Sequence, residues 1–302
     1  MKLKLLLFPL LLACALLIVP RAFSQTFVPD LENPEAAVRV VPNPLDIGAP
    51  ARVAIADPEV LVPPMGLFDN RPVFFFLTRN GWTGLFGADV MLTEGTYPLK
   101  INYEKNGEVF ESVLDIVLAA KDYGVRVINV PESQVKLSAE DQARAAREKV
   151  LVDKALATVS PERLWSGEFL EPVNAQINSS FGRRTRMNGI LNPRPHAGAD
   201  YRAPEGAPVR APASGRVILT GDHFFAGNSV YIDHGQGLIS MYFHLSEILV
   251  SDGQMVNKGD EPIALVGKTG RVTGAHLHYG IYLNGARIDP SAFRKLTTTL
   301  ED

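Results

Sequence analysis

All six histidines of this 302-residue chain lie between residues 196 and 278. Four of the six, with one aspartate, follow the order His196-x-x-x-Asp200, then His244, then His276-x-His278. Zinc in hydrolases commonly takes three nitrogen or oxygen ligands from the protein and leaves its fourth position to a water molecule, whose pKa the metal lowers. Two imidazoles and one carboxylate from this set would therefore be sufficient for a catalytic zinc site.

The spacing of His276 and His278 allows the two rings to have different roles. On an extended strand both side chains project from the same face, about 7 Å apart, so one can bind a metal while the other faces a substrate. Cupin-type and carbonic-anhydrase-type sites also begin with HxH, but they need further ligands downstream, and no histidine follows His278. The helical HExxH signature and a Gly-rich phosphate loop before a helix are absent from the sequence.

Short β-type segments surround these residues. After Pro172 the pattern predicts strands at residues 215–219, 229–233, 238–243, 262–266 and 276–283, and Asn284-Gly285 predicts a final hairpin. His223 and His234 fall in a loop and at a strand end, and we expect both to be structural. Residues 173–302 are therefore predicted to form a β-rich domain that carries the chemistry.

The first β-rich region along the chain, residues 25–133 (the first region), precedes residues 173–302 (the second region) and contains no histidine. Alternating apolar residues predict strands, and Asn80-Gly81 and Asn106-Gly107 predict hairpin turns. About a hundred residues of this kind predict a small immunoglobulin-like β-sandwich, which would act as a spacer or binding module. The predicted strands are residues 52–55, 73–78, 82–89, 97–103, 109–118 and 125–130.

A helical linker is predicted over residues 134–172. Ser138 and Asp141 fit a capping pattern, strong helix formers continue to Thr158, and Ser160-Pro161 ends the run. Basic and acidic residues are interleaved along this helix, which favours an ordinary solvated face over a membrane-binding one.

Residues 1–24 have the features of a secretory signal peptide: a basic start, an apolar run over residues 5–19, and a small-x-small signal at Ala22-Phe23-Ser24. Removing them leaves no cysteine and a net charge of about −6. Cys14 ends a pattern that resembles a lipoprotein processing site, but the following residues stay apolar. We expect an exported, periplasmic or secreted protein without stable membrane insertion, and the negative charge argues against nucleic acid as a partner.

Several blocks of the second region resemble the lysostaphin/LytM-type zinc metalloendopeptidases, which cut peptide bonds in peptidoglycan. The resemblance covers roughly residues 177–293. Its blocks are Ser180-Phe181-Gly182-Arg183, His196 to Asp200, Gly206-Ala207-Pro208-Val209, Ile232-Asp233-His234-Gly235, Tyr242 to Leu245, Gly267-Lys268-Thr269-Gly270 and Thr273 to His278. Their number and order make a chance match improbable.

The resemblance implies an antiparallel β domain with one zinc ion in a groove. It implies that His196, Asp200 and His278 bind the zinc, while His244 and His276 flank the metal-bound water and the scissile carbonyl. The substrate would be the stem peptides of peptidoglycan, with the D-Ala to diaminopimelate cross-link preferred over a glycine bridge. The alternative function is that of a catalytically inactive relative that activates a separate cell-wall amidase.

The chain departs from the family pattern in one respect. Some members place a tyrosine shortly before the first ligand to stabilise the tetrahedral intermediate, but residues 181–195 contain none. This segment instead carries Arg183, Arg184 and Arg186, followed by Arg194. Two interpretations of these arginines stay open: contact with the carboxylates of stem peptides, or a solvated loop.

Overall fold

A computed structural model describes residues 38–129 and 137–300 of the chain. The predicted signal peptide and Cys14 lie outside the described residues, as does the start of the predicted linker. Strands dominate both β-rich regions, as the sequence predicts, and two helices occur among the described residues. No helix in the described ranges is long and apolar enough to cross a membrane.

The first region forms an eight-stranded sheet with the strand order β1-β3-β6-β5-β4-β7-β8-β2. Its pairs are antiparallel except for the last, β8 with β2. The immunoglobulin-like sandwich stays a prediction, because the eight strands are hydrogen-bonded in one continuous sheet rather than in two separate sheets. The strands are β1 (Val38–Val41), β2 (Leu45–Asp46), β3 (Pro50–Ile55), β4 (Met65–Phe68), β5 (Arg71–Thr78), β6 (Gly81–Gly87), β7 (Gly95–Lys105) and β8 (Glu108–Ala119).

The two predicted hairpin turns differ in detail. Asn106 and Gly107 form the two-residue turn between β7 and β8, and both have positive φ angles, 54° and 79°. In the other hairpin the turn residues are Arg79 and Asn80, so Gly81 already pairs with Thr78 and takes the positive φ, 100°. Glycine is suited to this position because it has no Cβ to disfavour the left-handed region.

After the first sheet, β9 (Val125–Ile128) leads to α1 (Ala139–Leu156). The Ser138 hydroxyl caps α1 by accepting from the Asp141 amide at 3.0 Å, as the sequence predicts. The helix ends at Leu156, and the remainder of the predicted linker is not helical. Instead, Trp165 and Phe169 are buried in the core of the second region, against Phe293.

The second region contains a ten-stranded sheet whose main path is β10-β13-β20-β17-β16-β15-β18. Its pairs are antiparallel, and α2 (Pro290–Thr297) packs into its core through Phe293. The strands of this region are β10 (Gln176–Ser179), β11 (Arg184–Met187), β12 (Ile190–Leu191), β13 (Ala199–Arg202), β14 (Pro208–Val209), β15 (Gly215–His223), β16 (Gly227–Asp233), β17 (Leu238–Ile248), β18 (Met255–Val256), β19 (Ala264–Val266), β20 (Leu277–Leu283) and β21 (Ala286–Ile288).

The two regions are joined by direct contacts as well as by the chain. Phe76 and Leu85 of the first sheet belong to the buried cluster that contains Trp165. The buried carboxylate of Asp89 accepts from Nε and Nη2 of Arg287 at 2.9 and 2.7 Å. In addition, β9 pairs in parallel with β11, which forms a three-stranded sheet with β12.

Candidate active site

Adjacent strands bring the three predicted metal ligands together. Asp200 on β13 is paired in register with His278 on β20, so the two side chains leave neighbouring strands at the same level. His196 lies on the segment that enters β13. One ligand atom from each residue lies within 4.8 Å of the others. Residues that are 4 and 78 positions apart along the chain thus form a single cluster.

The distances within this cluster fit a tetrahedral metal site. Nε2 of His196 lies 3.0 Å from Nδ1 of His278, and Oδ1 of Asp200 lies 3.0 and 2.9 Å from these two nitrogens. Zinc ligands about 2.0–2.1 Å from the ion are separated by roughly 3.3 Å in a tetrahedron. Two imidazole nitrogens and a carboxylate oxygen that converge in this way are a donor set suited to zinc.

The surroundings of the cluster hold the rings in place. Nδ1 of His196 donates to the carbonyl of Ser180 at 3.1 Å, which orients the ring so that Nε2 faces the cluster. The ring of His278 stacks on Phe243, with centroids 5.2 Å apart and planes inclined by 8°. A Cβ atom on Gly198 would lie 2.7 Å from Nε2 of His278, so only glycine lets this backbone approach so closely.

The electrostatics favour an anionic carboxylate between the two imidazoles. Burial alone would raise the pKa of Asp200, but hydrogen bonds from His196 and His278 outweigh it and hold that pKa far below its usual range. Burial is also the largest influence on His278, and it lowers the pKa of that ring. For His196, burial is outweighed by the hydrogen bond and charge of Asp200, so its pKa is raised.

His244 and His276 lie beside this cluster. Their ring centroids are 4.8 Å apart, and Nε2 of His276 lies 3.8 Å from Oδ1 of Asp200. Nδ1 of His244 donates to the Thr269 carbonyl at 3.1 Å and Nδ1 of His276 to the Gly274 carbonyl at 2.9 Å. Both Nε2 atoms are therefore available to a substrate or a water molecule.

The backbone at His244 departs from regular strand geometry. Its φ is +64°, although it lies within β17, and its amide donates to the Ala226 carbonyl at 2.8 Å. A left-handed conformation is rare for a residue other than glycine, and such strain is concentrated at functional sites. Burial and the neighbouring His278 and His276 lower the pKa of His244 to about 4, so its ring is neutral at neutral pH.

The remaining histidines bond to core groups. Nδ1 of His223 lies 2.7 Å from the Ser229 hydroxyl. His234 is fully buried; its Nδ1 lies 2.8 Å from the Ser214 carbonyl and its Nε2 lies 2.7 Å from the Ser240 hydroxyl. These contacts agree with the structural roles expected for both.

A cleft of about 290 Å³ opens beside His196 and Asp200. Arg183 and Arg194 line it, as does Arg126, a residue of β9 that the sequence did not indicate. Phe181 is buried against Tyr123. The Tyr123 hydroxyl donates to the Ile47 carbonyl at 2.8 Å, so it points into the first region.

Comparisons with known proteins identify the class of the chain. The sequence profile of peptidase family M23 matches residues 194–290, the range that contains the histidine and aspartate cluster. A solved structure described as a putative peptidase M23 from Pseudomonas aeruginosa is 31% identical, with a TM-score of 0.66, over 85% of this chain and 96% of that one. Fold and sequence thus define a peptidase. More particularly, the chain belongs to peptidase family M23.

Curated relatives match the second region. Peptidoglycan DD-endopeptidase ShyA from Vibrio cholerae is 42% identical over 120 residues, which cover 39% of this chain and 28% of ShyA. DD-carboxypeptidase/endopeptidase Mpg from Neisseria meningitidis is 44% identical over 123 residues, covering 40% of this chain and 28% of Mpg. The chain therefore matches less than a third of the length of either relative.

Proposed function

We propose that the protein is an exported zinc metalloendopeptidase that hydrolyses peptide bonds in peptidoglycan, with the D-Ala to diaminopimelate cross-link as the preferred bond. The observation that carries this proposal is the convergence of His196, Asp200 and His278 beside two further histidines with free Nε2 atoms. ShyA and Mpg, both named as endopeptidases, support the choice of peptidoglycan.

His196, Asp200 and His278 would hold one zinc ion per chain. When bound, zinc supplies Lewis acidity and activates a water molecule for attack on a carbonyl. Nε2 of the neutral His244 is suited to take the proton that the attacking water loses. Hydrolysis also requires a proton on the leaving amine, and Nε2 of His244 or His276 can deliver it. The carbonyls of Thr269 and Gly274 keep both rings oriented for this transfer.

The first region is proposed to position or restrict substrate and to perform no chemistry, since residues 25–133 contain no histidine or cysteine. Export would follow from residues 1–24 acting as a signal peptide, which places the enzyme in the periplasm or outside the cell. The alternative, an inactive activator of an amidase, has less support because all five site positions are filled and brought together.

The test is mass spectrometry of muropeptides released from purified cell walls by the zinc-loaded protein. Walls cross-linked through D-Ala to diaminopimelate should yield monomers from dimers, while walls with glycine bridges should yield far fewer. The His244→Ala variant serves as the control for contaminating hydrolases. Equal release by wild type and this variant, or release of amidase products instead of peptide fragments, would contradict the proposal.

A further inference from the structure

The three-stranded sheet beside the site carries a row of polar side chains. Arg126 on β9 is paired in register with Thr185 on β11, and the amide of Asn192 donates to the Thr185 carbonyl at 2.8 Å. Residues at the same level of adjacent strands project from the same face of a sheet. All three side chains line the cleft beside His196 and Asp200.

The segment that leads into this sheet, just before β11, is hydrogen-bonded to a metal-ligand candidate. The Gly182 amide donates to the His196 carbonyl at 2.8 Å, and the His196 amide donates to the Arg183 carbonyl at 3.0 Å. Arg183 therefore sits immediately beside the proposed metal site. The first region reaches the same cleft because β9 is the outer strand of this sheet.

The cleft has a strong excess of positive charge. Three guanidinium groups line it, from Arg126, Arg183 and Arg194, whereas Asp200 is the one carboxylate among the lining residues. Within the described parts of the chain, none of the three arginines forms an ion pair with an acidic side chain. Uncompensated arginines around one cleft are suited to bind carboxylates, which the guanidinium group can contact with two hydrogen bonds.

We infer that Arg126, Arg183 and Arg194 form a subsite for a free carboxylate of the substrate, close to the bond that is cut. This inference rests on the proposed function and narrows its substrate class to peptides that carry an unmodified carboxylate near the scissile bond. In peptidoglycan two sources fit: the terminal carboxylate of D-Ala and a carboxylate of diaminopimelate. The first region would then supply part of substrate recognition, through Arg126.

The experiment uses the zinc-loaded full chain and three synthetic cross-linked stem-peptide dimers. One has all carboxylates free, one has the terminal D-Ala carboxylate amidated, and one has the diaminopimelate carboxylate amidated. Wild type should cleave the free dimer about tenfold more efficiently than the dimer amidated at the position that the subsite binds. Arg126→Gln and Arg183→Gln should lose this preference through a KM about five- to tenfold higher, with kcat little changed.

Arg184→Gln is the matched control, because Arg184 is the exposed residue that follows Arg183 in the chain and does not line the cleft. It should behave like wild type on all three dimers. Equal cleavage of all dimers by wild type, or an unchanged preference in both Arg126→Gln and Arg183→Gln, would overturn the subsite while leaving the peptidase function intact.

Calorimetric binding of the corresponding free and amidated stem tetrapeptides separates the two proposals. Failure to cleave any dimer, together with binding that weakens on amidation and in Arg126→Gln, would refute the peptidase function and support the subsite. Binding that depends on neither amidation nor these arginines would overturn the subsite.

Discussion

The two β regions bury different kinds of side chain. In the described part of the first region, Thr83 and Asp89 are the buried polar residues, and the rest of the core is apolar. The second region buries many more polar side chains: Ser179, His223, Ser229, Asp233, His234, Ser240, His244 and Thr297. A buried polar group is costly without a hydrogen-bond partner, so each of these side chains restricts the arrangements that the core can adopt.

A series of hydrogen-bonded polar side chains in the second region leads towards the candidate active site. Nε2 of His234 lies 2.7 Å from the Ser240 hydroxyl, which lies 2.8 Å from the Tyr242 hydroxyl. Ser240, Tyr242 and His244 occupy alternate positions on β17. Buried hydrogen bonds between polar side chains therefore fix the strand positions in the second region. The first region is held by apolar packing, so its core could tolerate more substitutions.

Replacing a metal ligand should have the largest effect and tests whether the chemistry belongs to the second region alone. His278→Ala should lose both zinc, expected at about one equivalent per chain, and detectable hydrolysis. Metal analysis after dialysis and a muropeptide assay measure the two quantities. His223→Ala, which removes a buried histidine outside the cluster, should keep its zinc. Full zinc retention by the His278→Ala protein would remove His278 from the ligand set.

A smaller effect is expected at the histidines that face the substrate. His276→Ala should keep zinc close to stoichiometric while kcat falls by roughly 10²–10⁴-fold, the usual contribution of a positioned acid or base. His244→Ala should behave in the same way. If both histidines act on one proton transfer, the fold decrease in kcat of the double variant should be smaller than the product of the two single decreases. Loss of zinc from His276→Ala with retention in His278→Ala would exchange the two roles.

These ligand positions were proposed from the resemblance to a known family, whereas residue type and order by themselves indicated only that two imidazoles and one carboxylate could bind zinc. His276 and His278 need only an extended strand to face the same side, and the structure places the Nε2 of one 3.8 Å, and the Nδ1 of the other 2.9 Å, from Asp200. The helix start was also predictable, because a serine cap acts over three residues. A local rule was sufficient for the helix start.

Other features depend on contacts between distant segments. Arg126 enters the cleft because β9 pairs with β11, whose paired residues lie 59 positions further along the chain, and no local pattern predicts a parallel pairing of that kind. The left-handed backbone of His244 lies at a register shift in the pairing of β17 with β16, which the local sequence does not indicate. Trp165 and Phe169 lie in a segment without regular secondary structure, and their burial depends on α2 and the first sheet.

Acid should destabilise the second region through its buried histidine. Burial lowers the pKa of His234 from 6.5 to about 4, so the unfolded chain takes up a proton at a pH where the folded protein does not. The free energy of unfolding should be unaffected by this group above pH 6.5 and fall by about 3 kcal/mol as the pH drops to 4. Urea unfolding of metal-free protein in this range measures it.

The matched comparison for this pH effect is His234→Asn, which has no titratable ring at the position. This variant should have a lower free energy of unfolding than wild type at pH 7. Between pH 6.5 and 4, its free energy of unfolding should fall less than that of wild type. Parallel pH curves for the two proteins would assign the acid sensitivity to other groups, such as His223, whose pKa is also lowered by burial.

The smallest predicted effect tests how firmly the two regions are joined. Asp89 is the one buried acidic residue in the described part of the first region, and its carboxylate accepts from the Met91 amide and from the amide, Nε and Nη2 of Arg287. Removing one partner of a buried ion pair leaves the other charge without compensation. The Arg287 side chain is 27% exposed, so its guanidinium group can be hydrated after the substitution. Asp89→Ala should therefore lower the free energy of unfolding by about 2 kcal/mol, less than the loss typical of a fully buried pair.

The control for this pair is Asp46→Ala, since the ion pair of Asp46 with Lys121 is exposed on both sides and joins no second-region residue. Asp46→Ala should cost less than about 1 kcal/mol. If the Asp89 to Arg287 contact couples the regions, Asp89→Ala should also broaden thermal unfolding towards two steps, because the apolar first core and the polar second core would then melt separately. A single transition in Asp89→Ala, shifted no further than in Asp46→Ala, would mean that shared packing around Phe76, Leu85 and Trp165 joins the regions without help from this pair.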